Sequence, residues 1–218
     1  MKLPDAKLTV VTRRESAAAE QAPPKSATWL GRSRDDAVAW AKGRRWWPRA
    51  LLLAYLAYAG WRHYSDSEYG SLFSGITLAI HELGHVLFGF LGEWIGIAGG
   101  SIAQLAAPAA VVLIMRRQRD YFGVAVGGAW LSMSLSNLAV YVGDARAEAL
   151  PLYSLGGGDP VHDWNYLLGS LHLLSRDAAI AGAIRAAALL TLALSVLLGA
   201  WLCKVMAQTP VGSSATAA

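Results

Sequence analysis

His81, Glu82, Leu83, Gly84 and His85 are the stretch of this chain whose residue types and spacing most directly imply chemistry. On a helix, residues four apart share a face, so both imidazoles can reach one metal ion. The glutamate beside the first histidine is then placed to act as general base on a water that the metal acidifies. The chain holds five histidines and six glutamates in 218 residues. At that composition chance predicts roughly 0.003 such pentapeptides per chain. The motif also lies inside the apolar run 69–91. Polar groups in such a run are costly and mark function, unless neighbouring helices satisfy them without a metal. A haem role is excluded, because histidines four apart on one helix cannot bind opposite faces of a porphyrin.

Two histidines do not complete a catalytic zinc site, which takes three protein ligands and keeps one position open. Asp163 is the first candidate for the third. It follows the glycines at 156–158 and opens a predicted helix over 163–175. The competing role for Asp163 is simple capping of that helix. His162 is the second candidate and Asp144, at the end of a predicted helix, the third; Asp144 could equally be an ordinary loop carboxylate. Glu93 lies too far past His85 to share its face without a bend, and Glu148 falls in a long loop. His63 reads as an interfacial residue after the first apolar segment. His172 reads as a packing residue beside the stripe of Trp164, Leu167, Leu168, Leu171 and Leu174.

The elements that must position these residues are apolar helices. The chain is 55% hydrophobic and only 16% charged, with its apolar residues in long runs. The expectation is an all-α polytopic membrane protein, a bundle of about five to six membrane helices. Apolar segments fall at 48–61, 69–91, 102–115, 121–143 and 178–203. Residues 1–46 form a basic tail, disordered over 1–28, with a tryptophan-rich interfacial segment at 29–48. Residues 47–206 form the membrane-embedded domain, and 207–218 a disordered tail. Most tryptophans fall near segment ends, where they anchor to membrane interfaces. The single cysteine, Cys203, excludes a disulfide within the chain and a cysteine-based zinc site.

Segment 92–100, with Gly92, Gly96, Gly99 and Gly100, predicts a short extended stretch and a turn, and Ser101 with Gln104 resembles a capping box for the helix after it. Topology sets a conflict. The basic tail places the N-terminus in the cytoplasm, and no nucleic-acid motif offers another reason for its charge. Alternating full crossings then put Arg116, Arg117 and Arg119 on the outside, against the positive-inside bias. A re-entrant extended segment at 92–115 is one resolution.

With these residues in hand, the chain resembles the site-2 protease family of intramembrane zinc metalloproteases, in particular its small bacterial members. The resemblance rests on His81-Glu82-Leu83-Gly84-His85 in an apolar helix, the preceding Ile76-Thr77-Leu78-Ala79-Ile80, the glycine-containing segment that follows, and a later aspartate near a helix start. It covers 69–175. It implies that the two histidines and a distal aspartate bind Zn2+, that Glu82 activates water, and that a peptide bond in or near the membrane is cut. It also implies a bacterial inner-membrane setting and a membrane-protein substrate. The family's Asn…Pro…Leu-Asp-Gly signature is not reproduced: Asn137 is followed by Gly143-Asp144, without the proline and with the order reversed. Two other functions fit the same residues, an inactive metal-binding membrane scaffold and a zinc hydrolase of a lipid amide or ester.

Overall fold

The structure is a computed structural model and describes residues 28–151 and 161–209. Every regular element among them is helical. In chain order these are α1 (Trp29–Ala41), α2 (Trp47–Ser65), α3 (Leu72–Phe88), α4 (Glu93–Arg117), α5 (Tyr121–Gly143), α6 (Asp163–Ser170) and α7 (Asp177–Gln208), with 3-10 turns at Gly89–Leu91 and Leu174–Arg176. The expected disorder of 1–27 and the glycines at 156–158 lie outside the described residues, as does 210–218. The expected tail from 207 is corrected, because α7 continues through Gln208. Among the described residues, those before Trp40, which make up most of α1, form a separate unit; the other helices belong to a second unit that starts at Trp40.

Among the described residues, four helical stretches are long and apolar enough to cross a membrane: Leu72–Leu91, Glu93–Arg117, Tyr121–Gly143 and Leu174–Gln208. That suits a polytopic membrane protein, with fewer such helices than the expected five to six. The difference is physical. α2 is long enough but carries Arg49, Arg62 and His63 among tyrosines and tryptophans. α6 has eight residues, a rise of only about 12 Å.

The expected extended stretch at 92–100 is helical. The break falls at Gly92, whose φ of 105° suits glycine, and α4 then runs unbroken for 25 residues. Gly99 and Gly100 serve packing instead of a turn. A Cβ on Gly84 would run into the carbonyl oxygen of Gly99, and a Cβ on Gly99 into Phe88. The missing side chains let the backbones of α3 and α4 touch, which offsets the low helix propensity of glycine. Ser101 and Gln104 therefore sit buried in mid-helix and cap nothing. The capping box belongs to α3, where Ser71 accepts from Phe73 N–H and Ser74 Oγ accepts from Ser71 N–H.

Helix directions follow from facing residues. Gly60 faces Leu192 and Gly199 faces Leu53, so α2 and α7 are antiparallel. Ser132 Oγ–H donates to Ala188 O at 2.7 Å, and Gly143 faces Ala181, so α5 and α7 are antiparallel too. Gly123 faces Met115 while Gln104 reaches Ser134, which sets α4 antiparallel to α5. The start of α2, the end of α4, the start of α5 and the end of α7 thus share one end of the bundle. Gly43 N–H donates to Thr209 O there, and Trp40 packs edge-on against Tyr121 at 6.1 Å.

α3 does not carry the chain back to that end. Its N-cap Ser71 meets His63, near the close of α2, at 2.8 Å. It then runs antiparallel to α4, with Gly84 on Gly99 and Gly96 near Gly89. Arg116, Arg117 and Arg119 therefore lie at the same end as Lys42 and Arg49. The topological conflict came from counting α3 as a return crossing, and it disappears without a re-entrant strand.

His63 is buried, not interfacial, between Asn137 Oδ1 at 3.0 Å and Ser71. α6 stops at Ser170, five residues before the expected end. His172 follows with φ 56°, exposed and in the left-handed region that ends helices, so it does not pack in an apolar stripe. Arg185 donates to Tyr64 O at 2.7 Å at the close of α2.

The α3–α4 contact yields a prediction. Gly84→Ala sets a methyl against backbone that cannot swing aside. Overpacking of this kind costs about 1–3 kcal/mol. Thermal unfolding in detergent should show the loss, and an unchanged midpoint would contradict backbone contact at this position.

Candidate metal centre

α3 presents His81 and His85 one turn apart on the side that faces α4 and α6. His81 is buried and His85 half-buried. Asp163, the first residue of α6, comes up against both. Its Oδ2 lies 3.0 Å from His81 Nε2 and 3.3 Å from His85 Nε2. The three ligand atoms fall within 4.8 Å of one another, and no ion is present. The structure thus brings together the two histidines and the first-choice aspartate of the sequence analysis.

The second nitrogen of each ring shows what the cluster can hold. His81 Nδ1–H donates to Gln104 Oε1 at 2.9 Å, and His85 Nδ1–H donates to Gly96 O at 3.0 Å. Both partners are carbonyl oxygens, which only accept. Each ring is therefore set with its proton on Nδ1 and its Nε2 lone pair toward Asp163. Gln104 is itself fixed, because its Nε2 donates to Ser134 O at 3.0 Å. This is the arrangement by which metal-binding histidines are oriented.

Two lone pairs and a carboxylate that converge at 3.0–3.3 Å repel one another unless a proton or a metal cation lies between them. The separations suit a metal. Ligand atoms at about 2.0–2.1 Å from a tetrahedral ion lie roughly 3.3 Å apart.

Gly100 guards the space. A Cβ at this position would lie 2.5 Å from His85 Nε2 and 2.7 Å from His81 Nε2, beside both lone pairs. Any side chain there would intrude on the space that an ion held by the two histidines would need.

His162 and Asp144, the other candidate ligands, do not join the cluster. His162 is the N-cap of α6: its Nδ1 accepts from Asn165 N–H at 3.2 Å, and its Nε2 faces Asp144 Oδ2 at 3.3 Å. Asp144 also accepts from the backbone N–H groups of Ala149 and Leu150. The capping role weighed for Asp163 thus falls to His162, which leaves the Asp163 side chain for the histidines. Asp163 N–H donates to Tyr141 Oη at 3.0 Å. Glu93 is exposed in the first turn of α4, and Glu148 accepts from Asn165 Nδ2. Neither belongs to the centre.

A cavity of about 260 Å3 opens onto the cluster. Glu82, Tyr141 and Asn137 line it beside the three convergent residues, and Leu78, Leu150 and Val161 supply apolar wall. Sequence reasoning missed Gln104 and Tyr141. The available signal was a glutamine inside an apolar helix, but it was absorbed by the capping reading of Ser101 and Gln104.

The chain matches no family model, no curated protein and no solved structure. The functional reading accordingly stands on the geometry and on the residues of the motif.

Gly100→Ala tests the room for an ion. The variant should keep its helical circular dichroism yet lose zinc binding in calorimetry. Wild-type affinity in Gly100→Ala would mean that the three residues do not share an ion. Gln104→Leu frees His81 Nδ1 and should weaken zinc binding about 10–100-fold, the usual cost of losing such a partner.

Proposed function

We propose that this protein is a membrane-embedded zinc metalloendopeptidase that cuts peptide bonds within or near the bilayer. The observation that carries the reading is the convergence of His81 Nε2, His85 Nε2 and Asp163 Oδ2 beside Glu82 in one cavity. Three protein ligands with space on the cavity side are the ligand count of catalytic zinc, where structural sites are closed by four. The resemblance of the motif to the site-2 protease family points the same way. Zinc is the fitting ion, because two imidazoles and one carboxylate form a donor set it favours.

His81, His85 and Asp163 would hold the ion. Once bound, Zn2+ supplies a Lewis acid that acidifies water and polarises a carbonyl. The remaining steps fall to this chain's residues. Glu82 takes the proton of the attacking water and returns it to the leaving amine. Gln104 and the carbonyl of Gly96 keep both imidazoles in the tautomer that leaves Nε2 unprotonated. Tyr141, anchored by Asp163 N–H, can donate its hydroxyl proton toward a developing oxyanion in the cavity. The apolar wall receives side chains of an unwound membrane segment. The setting proposed is a bacterial inner membrane, multi-pass, with the N-terminal tail on the cytoplasmic side.

Two substitutions test the reading. Glu82→Gln is nearly isosteric and cannot take the proton. It should keep one zinc per chain and lose cleavage of membrane peptides by about 100-fold or more. Cleavage at the wild-type rate would end the protease reading. Stoichiometric zinc with no cleavage of peptides or lipid amides would favour the scaffold. Asp163→Asn keeps the size of the side chain and removes its charge, and α6 keeps its His162 cap. Zinc affinity should fall by more than the roughly 10–100-fold typical of outer partners. An unchanged affinity would remove Asp163 from the site.

A further inference from the structure

We infer that the basic end of the bundle lies at the cytoplasmic leaflet and that the metal centre therefore opens in the opposite, extracytoplasmic half of the membrane. Its substrates would then be segments presented from that side. The substrate statement rests on the peptidase reading above; the orientation does not.

The charge of the bundle is divided along its axis. At the end where α2 starts and α7 finishes lie Lys42, Arg44, Arg45 and Arg49, then Arg116, Arg117 and Arg119, then Lys204. Among the described residues of the unit that starts at Trp40, the acidic residue at that end is Asp120, the N-cap of α5. The other end carries Arg62, Arg146, Arg176 and Arg185 against eight carboxylates. These fall in the α2–α3 loop, at Glu82 and Glu93, around Asp144 and Glu148, and at Asp163 and Asp177. Two of those four arginines are matched directly: Arg62 Nη2 lies 2.9 Å from Asp66, and Arg146 Nε lies 2.7 Å from Asp177. One end is therefore strongly positive and the other negative. Membrane proteins keep lysine and arginine on the cytoplasmic side, where the leaflet is anionic.

This division is invisible in the linear sequence, because α4 brings Arg116 and Arg117, with Arg119 just past its end, back to the level of Arg49. Exposed tryptophans mark both boundaries: Trp46 and Trp47 at the basic end, Trp61 and Trp94 at the acidic end.

The centre lies far from the basic end. Ser134 and Tyr141 are 13 and 20 residues along α5 from Tyr121. At about 1.5 Å per residue they stand roughly 20 and 30 Å from its start. A hydrocarbon core is about 30 Å thick. Gln104 reaches Ser134, and Asp163 N–H meets the Tyr141 hydroxyl, so the centre spans the levels between them. The cavity wall at Leu150, Pro151 and Val161 comes from chain flanking α6, at the acidic end. The cavity that Glu82 lines is thus walled on the side away from the basic end.

The test is cysteine labelling. Cys203→Ser removes the native thiol, and single cysteines replace exposed residues: Glu68 or Ser175 at the acidic end, Lys42 or Gln118 at the basic end. Spheroplasts of a bacterial host are treated with a membrane-impermeant maleimide before and after permeabilisation. Cysteines at 68 and 175 should label in intact spheroplasts, and those at 42 and 118 only after permeabilisation. The reverse pattern, or labelling of both ends in intact spheroplasts, would overturn the inference. Labelling needs neither metal nor turnover, so its failure is separate from failure of the zinc and Glu82 measurements.

Discussion

The backbone contact between α3 and α4 is the constraint on which the centre depends. Gly84 lies on the carbonyl of Gly99, and this close approach carries Gly96 O to His85 Nδ1 and Gln104 to His81 Nδ1. Hydrogen bonds of this kind decide which ring nitrogen keeps its proton. A bulkier residue at 84 or 99 would separate the helices, and both imidazoles would lose the partners that set their tautomers. The same contact places Gly100 opposite the two Nε2 atoms, where the absence of a side chain leaves room for an ion. The glycines in and around the motif thus serve the histidines as directly as the spacing of four does.

α6 completes the cluster by a different device. It is too short to be held by propensity alone. Its first turn is fixed from outside: His162 caps it, Asp144 holds His162 and the loop after α5, and Tyr141 receives the backbone N–H of Asp163. Leu167 and Leu168 bury its other face. The two residues that compete with Asp163 as ligands by type are those that aim it. Such a support is what keeps a carboxylate in place at the first turn of so short a helix.

The bundle sorts charge as well as apolar surface. α2 and α5 run one way and α4 and α7 the other, with Leu56, Ala59, Ala129 and Met133 packed between α2 and α5. That arrangement gathers basic residues from three separate stretches of chain at one end and leaves most of the bundle's carboxylates with the cavity at the other. Several polar residues within the helices are satisfied locally, His63 by Asn137 and Ser71, Ser132 by Ala188 O, and Trp130 Nε1 by Thr77, whereas the Ser134 and Ser136 hydroxyls have no partner among the described residues. In an apolar medium each such pair removes the cost of an unmet donor or acceptor.

The linear sequence by itself determined the helical, membrane-suited class, the 121–143 helix to its ends, and the pairing of His81 and His85. These follow from local quantities, namely the length of apolar runs and the helical repeat. Asp163 was legible as a candidate because a carboxylate at a helix start is a local signal too. Its place beside the two histidines, which His162 and Asp144 do not share, was decided by tertiary structure, since all three are plausible donors until their hydrogen-bond partners are known. Segment 92–100 misled for a related reason. Glycine signals a break in isolation, but against Gly84 it permits contact, and only the neighbouring helix distinguishes the two. The course of α3 was equally hidden. Apolarity and length say that a segment could cross a membrane, whereas its direction is fixed by what its two ends touch, here His63 behind Ser71 and Gly89 beside Gly96.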